Sequence, residues 1–183
     1  MISFSLAFCC LLALWCSAAD KPEPPMWPSR FHAVMRQQRG DDLGIVDLWY
    51  DFPAKRNLNI VRTQKGEANG PLFDNELQNG TTYYYTPQTK ECHCIQMGVG
   101  LLPPTWLQGA TYLRDEKVGH YDCHVWENGD SDVPGRPFVT YWAEKATGRP
   151  AKWIFFDDAL FEPIEWTPGA TADDALFQLP SYC

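Results

Sequence analysis

Polar and apolar residues alternate through residues 56–63 (RNLNIVRT), and the same two-residue period returns in short runs along most of the chain. Successive side chains of a strand point to opposite faces, so this is the period of a half-buried strand. Residues 45–51 are rich in β-branched and aromatic side chains and end at Phe52-Pro53-Ala54, a turn. Residues 72–77 and 81–86 flank Gln78-Asn79-Gly80, which predicts a hairpin. Residues 87–90 turn into a strand around 92–97. Further strands are expected at 110–118, 121–127, 138–144, 151–157 and 160–167, with a closing helical turn at 173–178. Residues 30–39 read equally as a short helix or an edge strand. One segment breaks the pattern: in 98–109 (GVGLLPPTWLQG) two prolines, then Thr-Trp-Leu-Gln and a final glycine, predict a short helix.

Strands joined by such short connections pair antiparallel, because parallel neighbours need long crossovers. The expected fold is mainly β, a strongly curved antiparallel sheet or half-open barrel of about nine or ten strands with one or two short helices. Its concave face requires cover from a helix, a loop or a ligand.

Composition is most informative at the N-terminus. Residues 1–19 (MISFSLAFCCLLALWCSAA) are uncharged, almost wholly apolar and end in Ser17-Ala18-Ala19. The proline-rich run that follows, Asp20-Lys21-Pro22-Glu23-Pro24-Pro25, stops any helix. The stretch is too short for a comfortable membrane span and offers a small-x-small cleavage site, so it reads as a secretory signal peptide rather than an uncleaved anchor. The expected organisation is therefore a signal peptide over 1–19 and one curved antiparallel β domain over 20–183. Such a protein is secreted or held in the secretory-pathway lumen, with no membrane span after cleavage. The net charge of −8, without any cluster of Lys or Arg, argues against nucleic acid and against anionic membrane as partners.

Seven cysteines become four once Cys9, Cys10 and Cys16 leave with the signal. Cys92, Cys94, Cys123 and Cys183 then suggest two disulfides in an oxidising compartment. Cys92 and Cys94 lie two apart on one face of a strand, so each is expected to pair with Cys123 or Cys183 rather than with the other. Together with His93, His120 and His124 they also form two dense clusters, but C-H-C and H-x-x-C-H do not match common zinc spacings. Disulfides are the expected reading, with no metal and no cofactor. Asn79-Gly80-Thr81 is an N-glycosylation sequon placed in the same predicted hairpin.

Aromatic residues are the most unusual feature of 20–183. Trp49, Trp106, Trp126, Trp142 and Trp153 are the candidate ligand-lining side chains, accompanied by Trp166, Tyr50, Tyr83, Tyr85, Phe155 and Phe156. Filling the core is their first expected role. On a curved sheet, alternate aromatics also line a cavity for an apolar ligand or stack on sugar rings. Asp130-Ser131-Asp132 is a DxD tripeptide of the kind that binds metal–nucleotide in glycosyltransferases, yet the supporting βαβ alternation is missing. Asn128 makes it N-x-D-x-D, a fragment of a calcium loop without its glycine or final glutamate. Both point to a solvated turn. There is no G-x-S-x-G and no H-E-x-x-H, and His32, His93, His120 and His124 have no recognisable nucleophile. Asp157, Asp158, Glu162 and Glu165 are the carboxylates available for paired acid–base work, and no catalytic assignment emerges.

Several runs carry a resemblance: Trp49-Tyr50-Asp51, residues 79–85, residues 99–107, residues 109–113, Cys123-His124-Val125-Trp126, and residues 147–150 leading to Trp153-Ile154-Phe155-Phe156. They resemble a secreted plant and algal family of no established function, whose plant members are labelled as transferring glycosyl groups. The Pro-Pro-x-Trp-Leu block at 103–107 is the most specific of them. More distantly the pattern is similar to ependymins and, through them, to the bacterial lipoprotein-carrier fold, a half-open antiparallel barrel that shelters acyl chains. That resemblance implies that residues 30–39 form the first strand. Cys92 matches the cysteine of the family pattern, and the neighbouring Cys94 leaves the connectivity open. The leading expectation is a disulfide-bonded domain that binds an apolar or amphipathic ligand on its concave face. A glycosyl-group transferase and a glycan or matrix-interaction module are the alternatives.

Overall fold

The computed structural model describes residues 21–64, 70–98 and 100–183; the expected signal peptide, with Cys9, Cys10 and Cys16, lies outside them. Among the described residues eleven strands follow in chain order: β1 Arg30–Arg39, β2 Asp42–Asp51, β3 Arg56–Gln64, β4 Leu72–Leu77, β5 Thr81–Thr86, β6 Glu91–Gln96, β7 Thr111–Val118, β8 Tyr121–Asp130, β9 Pro137–Glu144, β10 Pro150–Phe155 and β11 Leu160–Pro168. They form one antiparallel sheet, mainly β as expected, in the order β6-β5-β4-β3-β2-β1-β11-β10-β9-β8-β7. The sheet is not closed into a barrel. Residues 30–39 are thus a strand, and a central one: β1 pairs with β2 on one side and with β11 on the other. Among the described residues no helix is long and apolar enough to cross a membrane.

Parity decides the core. On β1, Phe31, Ala33 and Met35 are buried on the concave face, and across the register Tyr50 and Leu48 of β2 join them. Tyr141 and Trp153 continue this layer on β9 and β10. Trp27, just ahead of β1, stands at its centre: its ring meets those of Phe31, Tyr50, Trp106, Trp153 and Trp166 at centroid distances of 5.0–6.3 Å. Its indole N–H donates to Tyr141 Oη at 2.8 Å, which settles the one polar atom this ring carries into the core.

The segment between β6 and β7 crosses the concave face from one edge of the sheet to the other, and it is not the expected helix. Its turns are closed by i→i+3 bonds: Trp106 N–H to Pro103, Gln108 to Thr105 and Ala110 to Leu107. The carbonyls a helix needs are taken by other partners. Tyr50 Oη donates to Leu102 O at 2.7 Å, Trp27 N–H to Pro104 O at 3.0 Å, and the Asn128 amide to Trp106 O. Leu101, Trp106 and Leu107 are buried beneath it. The crossing begins tightly, since a Cβ on Gly100 would lie 2.1 Å from Gln78 O. Only glycine permits that approach.

A second cover lies on the opposite, convex face. After β11 the chain makes a single 3-10 turn, Asp174–Phe177, capped by the Asp173 side chain accepting from Ala175 N–H at 2.8 Å. The Asn75 amide donates to Phe177 O at 3.1 Å, and the Arg56 guanidinium sits 3.9 Å above the Phe177 ring. Cys183 bonds to Cys92 on β6. The expected second bridge is corrected: Cys94 is exposed and unbonded on β6, and Cys123 is buried and unbonded on β8. β6 is one edge of the sheet and β8 lies next to the other, so the two sulfurs belong to opposite ends of the fold.

Candidate functional site

Between the crossover, the N-terminal Trp27 and the β3–β5 half of the concave face lies a cavity of about 440 Å³. That is within the range of small-molecule sites. Met35, Val46, Leu48 and Tyr50 form its floor, and Trp153, Phe155, Phe161, Leu101 and Leu102 its apolar walls. The remaining wall is polar. Asn57 and Asn59 of β3, Asp74 and Glu76 of β4, and Thr82 and Tyr84 of β5 all turn inward, as the two-residue period and the pairing Asn57↔Glu76, Asn59↔Asp74, Glu76↔Thr82 and Asp74↔Tyr84 require. At the rim Arg39 is joined to Asp157 at 2.8 Å.

The two carboxyl groups dominate the electrostatics. Asp74 and Glu76 stand two apart on one strand face, within hydrogen-bonding reach of each other. Burial, reinforced by the charge of Glu76, pushes the Asp74 carboxyl up to about 8, against a hydrogen bond from Asn59 that favours its charged form. Burial also raises Glu76, opposed by the Asn57 amide that donates to it at 2.8 Å. At neutral pH the pair therefore keeps at least one proton, because two like charges in a poorly hydrated site do not both ionise. Burial and these two charges push the neighbouring Tyr84 phenol up to about 12.

Of the five tryptophans expected to line a ligand site, one does. Trp153 forms part of the apolar wall. Trp106 and Trp126 are buried in the packed core beside it, against Trp27 and Tyr112 respectively. Trp49 and Trp142 face the convex side, where Trp49 stacks on His32 at 4.0 Å and Trp142 lies 4.2 Å under the Lys152 ammonium. In both aromatic dipeptides it is the tyrosine, Tyr50 or Tyr141, that turns inward. Asn79 is exposed in the β4–β5 turn, where its side chain accepts from Thr81 N–H at 3.0 Å. In the Asp130–Asp132 loop the Ser131 hydroxyl donates to Arg136 O at 2.8 Å, closing the β8–β9 hairpin on itself. Asp157, Asp158 and Glu162 are each ion-paired, with Arg39, Arg136 and Arg36. The Cys–His clusters of β6 and β8 stay apart, and among the described residues no group of three or more His, Cys, Asp or Glu converges.

The cavity's polar wall, which no motif announces, does leave a trace in the sequence. NLN in β3 and DNE in β4 place two amides and two carboxyls on single strand faces. What the period does not say is which face is enclosed.

An open antiparallel sheet curled over an apolar cavity, with a plug across its concave side and one acidic wall, defines the class of this molecule. The chain belongs to a family described as a domain of unknown function, DUF8395, whose profile matches residues 26–183. A comparison with curated proteins finds no match. Among solved structures the chain is similar to an uncharacterized conserved protein from Thermus thermophilus, with 13% identity, a TM-score of 0.60, and coverage of 84% of this chain and 87% of that one. It is also similar to a DUF1329 family protein from Desulfovibrio piger, at 11% identity and a TM-score of 0.44 over 82% of this chain and 90% of that one. In the Pseudomonas aeruginosa MucA/MucB complex the identity is 13% and the TM-score 0.47, over 84% of this chain and 56% of that one. The Thermus protein shares the fold.

Proposed function

We propose that this protein holds an apolar or amphipathic, lipid-like ligand in the concave cavity. The observation that carries the reading is the cavity itself: about 440 Å³ bounded by Met35, Leu48, Trp153, Phe155 and Phe161, in a core otherwise packed with aromatic rings. Small β proteins close such space with side chains unless something else occupies it. The likeness of its strand pattern to ependymins and lipoprotein carriers supports the same reading, whereas the likeness of its sequence runs to the plant and algal family, which has no established function, names no ligand. The proposal includes export as one β domain over 20–183, with the leader 1–19 removed, a carbohydrate on Asn79 and the Cys92–Cys183 bond formed in an oxidising compartment. A glycan-contact module is less well supported, because Trp106, Trp126, Trp142 and Trp153 are all buried rather than displayed.

Native mass spectrometry of the protein from its own secretory pathway, after glycosidase treatment, tests this. A reproducible mass excess over the polypeptide, released on denaturation, is the expected result. A bare polypeptide that also fails to take up decanol on titration would defeat the proposal.

A further inference from the structure

We infer that the cavity selects amphiphiles whose polar end is a primary ammonium group, held against Asp74, Glu76 and Asn57. The inference rests on the ligand-binding reading and names the head group that reading leaves open. Its ground is a mismatch in how the protein treats its carboxylates. Asp47 has His32 and Arg62, Asp51 has Arg30 and Arg56, and Glu162 has Arg36. Asp74 and Glu76, facing the cavity, have no cationic partner among the described residues. The one basic side chain that these residues contribute to the cavity lining, Arg39, is joined to Asp157 at the rim.

The wall is also short of donors. Asp74 Oδ1 and Asn57 Oδ1 are both buried, and apart from the proton that the carboxyl pair itself holds they meet no donor among the described residues. An acceptor left unpaired in such surroundings is destabilising, so the wall is complementary to a group that brings donors and positive charge. An alkylammonium has three N–H donors, one positive charge and no acceptor. A hydroxyl brings one donor and no charge. A carboxylate or phosphate adds acceptors and negative charge to a wall that has both in excess. The apolar side of the cavity takes the alkyl chain in every case, so the head group alone discriminates.

Ion balance follows. The pair holds a proton at neutral pH, and an adjacent ammonium favours its ionised form. Each ammonium that enters therefore displaces one proton to solvent, breaking one O–H bond and no other. Among the described residues, the other charged and titratable groups lining the cavity are Tyr84 from β5, Tyr50 from β2, whose phenol burial also raises, Arg39 from β1 and Asp157 from the β10–β11 turn. Tyr84 stays neutral below about 12, so the carboxyl pair is the proton source.

Calorimetric titration of the purified protein with decylamine, decanol and decanoate tests the head-group choice. Decylamine remains charged to about pH 10, like a lysine side chain. The expected result is that decylamine binds at least about tenfold more tightly than either other probe, a difference of about 1.4 kcal/mol. Its affinity should rise from about pH 6 to about pH 8, with a heat that depends on the buffer's ionisation enthalpy because a proton is released. In the near-isosteric Asp74→Asn/Glu76→Gln variant, its folding checked by circular dichroism, the amine preference should vanish. Equal or tighter binding of decanoate overturns the inference, as does an amine preference surviving in the folded double variant. If the wild type binds all three alike, the head-group inference fails and the cavity reading stands. If it binds none, the cavity reading fails and takes this inference with it.

Discussion

In β8 to β11 the concave face carries Trp126, Tyr141, Trp153 and Phe161, packed beneath the crossover and Trp27. In β3 to β5 the same face carries Asn57, Asn59, Asp74, Glu76, Thr82 and Tyr84, and apart from Val61 and Leu72 at one end the apolar residues turn the other way. Leu58 and Ile60 are 0% and 5% exposed on the convex side, with Phe73 and Tyr85 stacked beside them at 4.9 Å. Both arms obey one two-residue period; they differ in what covers them. The crossover caps one arm from the concave side, while the C-terminal segment with Phe177 and Cys183 covers the other from the convex side. A sheet with a separate cover on each face is free to reverse its polarity halfway along, and the reversal places an acidic wall opposite an aromatic one.

Four measurements test the contrast between the two arms. Trp27→Ala removes the ring on which the filled arm converges, and the expected loss is about 3–5 kcal/mol in urea or guanidinium unfolding. Leu58→Ala attacks the underside of the polar arm and should cost about 2–5 kcal/mol; a loss near zero would mean that the C-terminal segment gives no real cover there. Cys92→Ser frees that segment, with an expected loss of about 2–4 kcal/mol and faster proteolysis after β11, read by limited digestion. The smallest effect at neutral pH belongs to Asp74→Asn. The Asp74 carboxyl is raised from its ordinary 3.8 to about 8, so the folded state holds a proton that the unfolded chain gives up. Its stabilising contribution is complete below about pH 4 and is lost as pH rises towards about 8. Denaturation midpoints across that window should fall more steeply for wild type than for Asp74→Asn, and equal slopes would contradict the raised value.

Much of the sheet is legible in the sequence because period and turn chemistry are local: the hairpin around Asn79-Gly80, the alternation of β3 and the closing turn near Asp173 are all written in neighbouring residues. The crossover is not. Pro103-Pro104-Thr105-Trp106 has the composition of a helix start, and it is Tyr50, Trp27 and Asn128, distant in sequence, that draw its carbonyls away from helical bonding. The cavity's tryptophans are only partly legible for a related reason. Trp49-Tyr50 and Tyr141-Trp142 each offer two large rings on adjacent positions, and period alone does not choose which ring faces in. Trp27 gives no signal because it lies in a proline-flanked stretch without period, and the trace left by Asp74 and Glu76 does not mark a site because a strand with one polar face reads as solvent-exposed.

The order of strands carries one more consequence, for how the chain finds its fold. Every neighbour pair from β1 to β6 and from β7 to β11 joins consecutive strands, whereas β1 and β11 pair across the whole sequence, Gln38 with Leu160 and Phe31 with Pro168. Each arm therefore assembles through short loop closures, and a single distant zipper joins them. During synthesis β1 waits with one bare edge until nearly all the remaining chain has emerged, and a bare strand edge invites pairing with whatever strand arrives first.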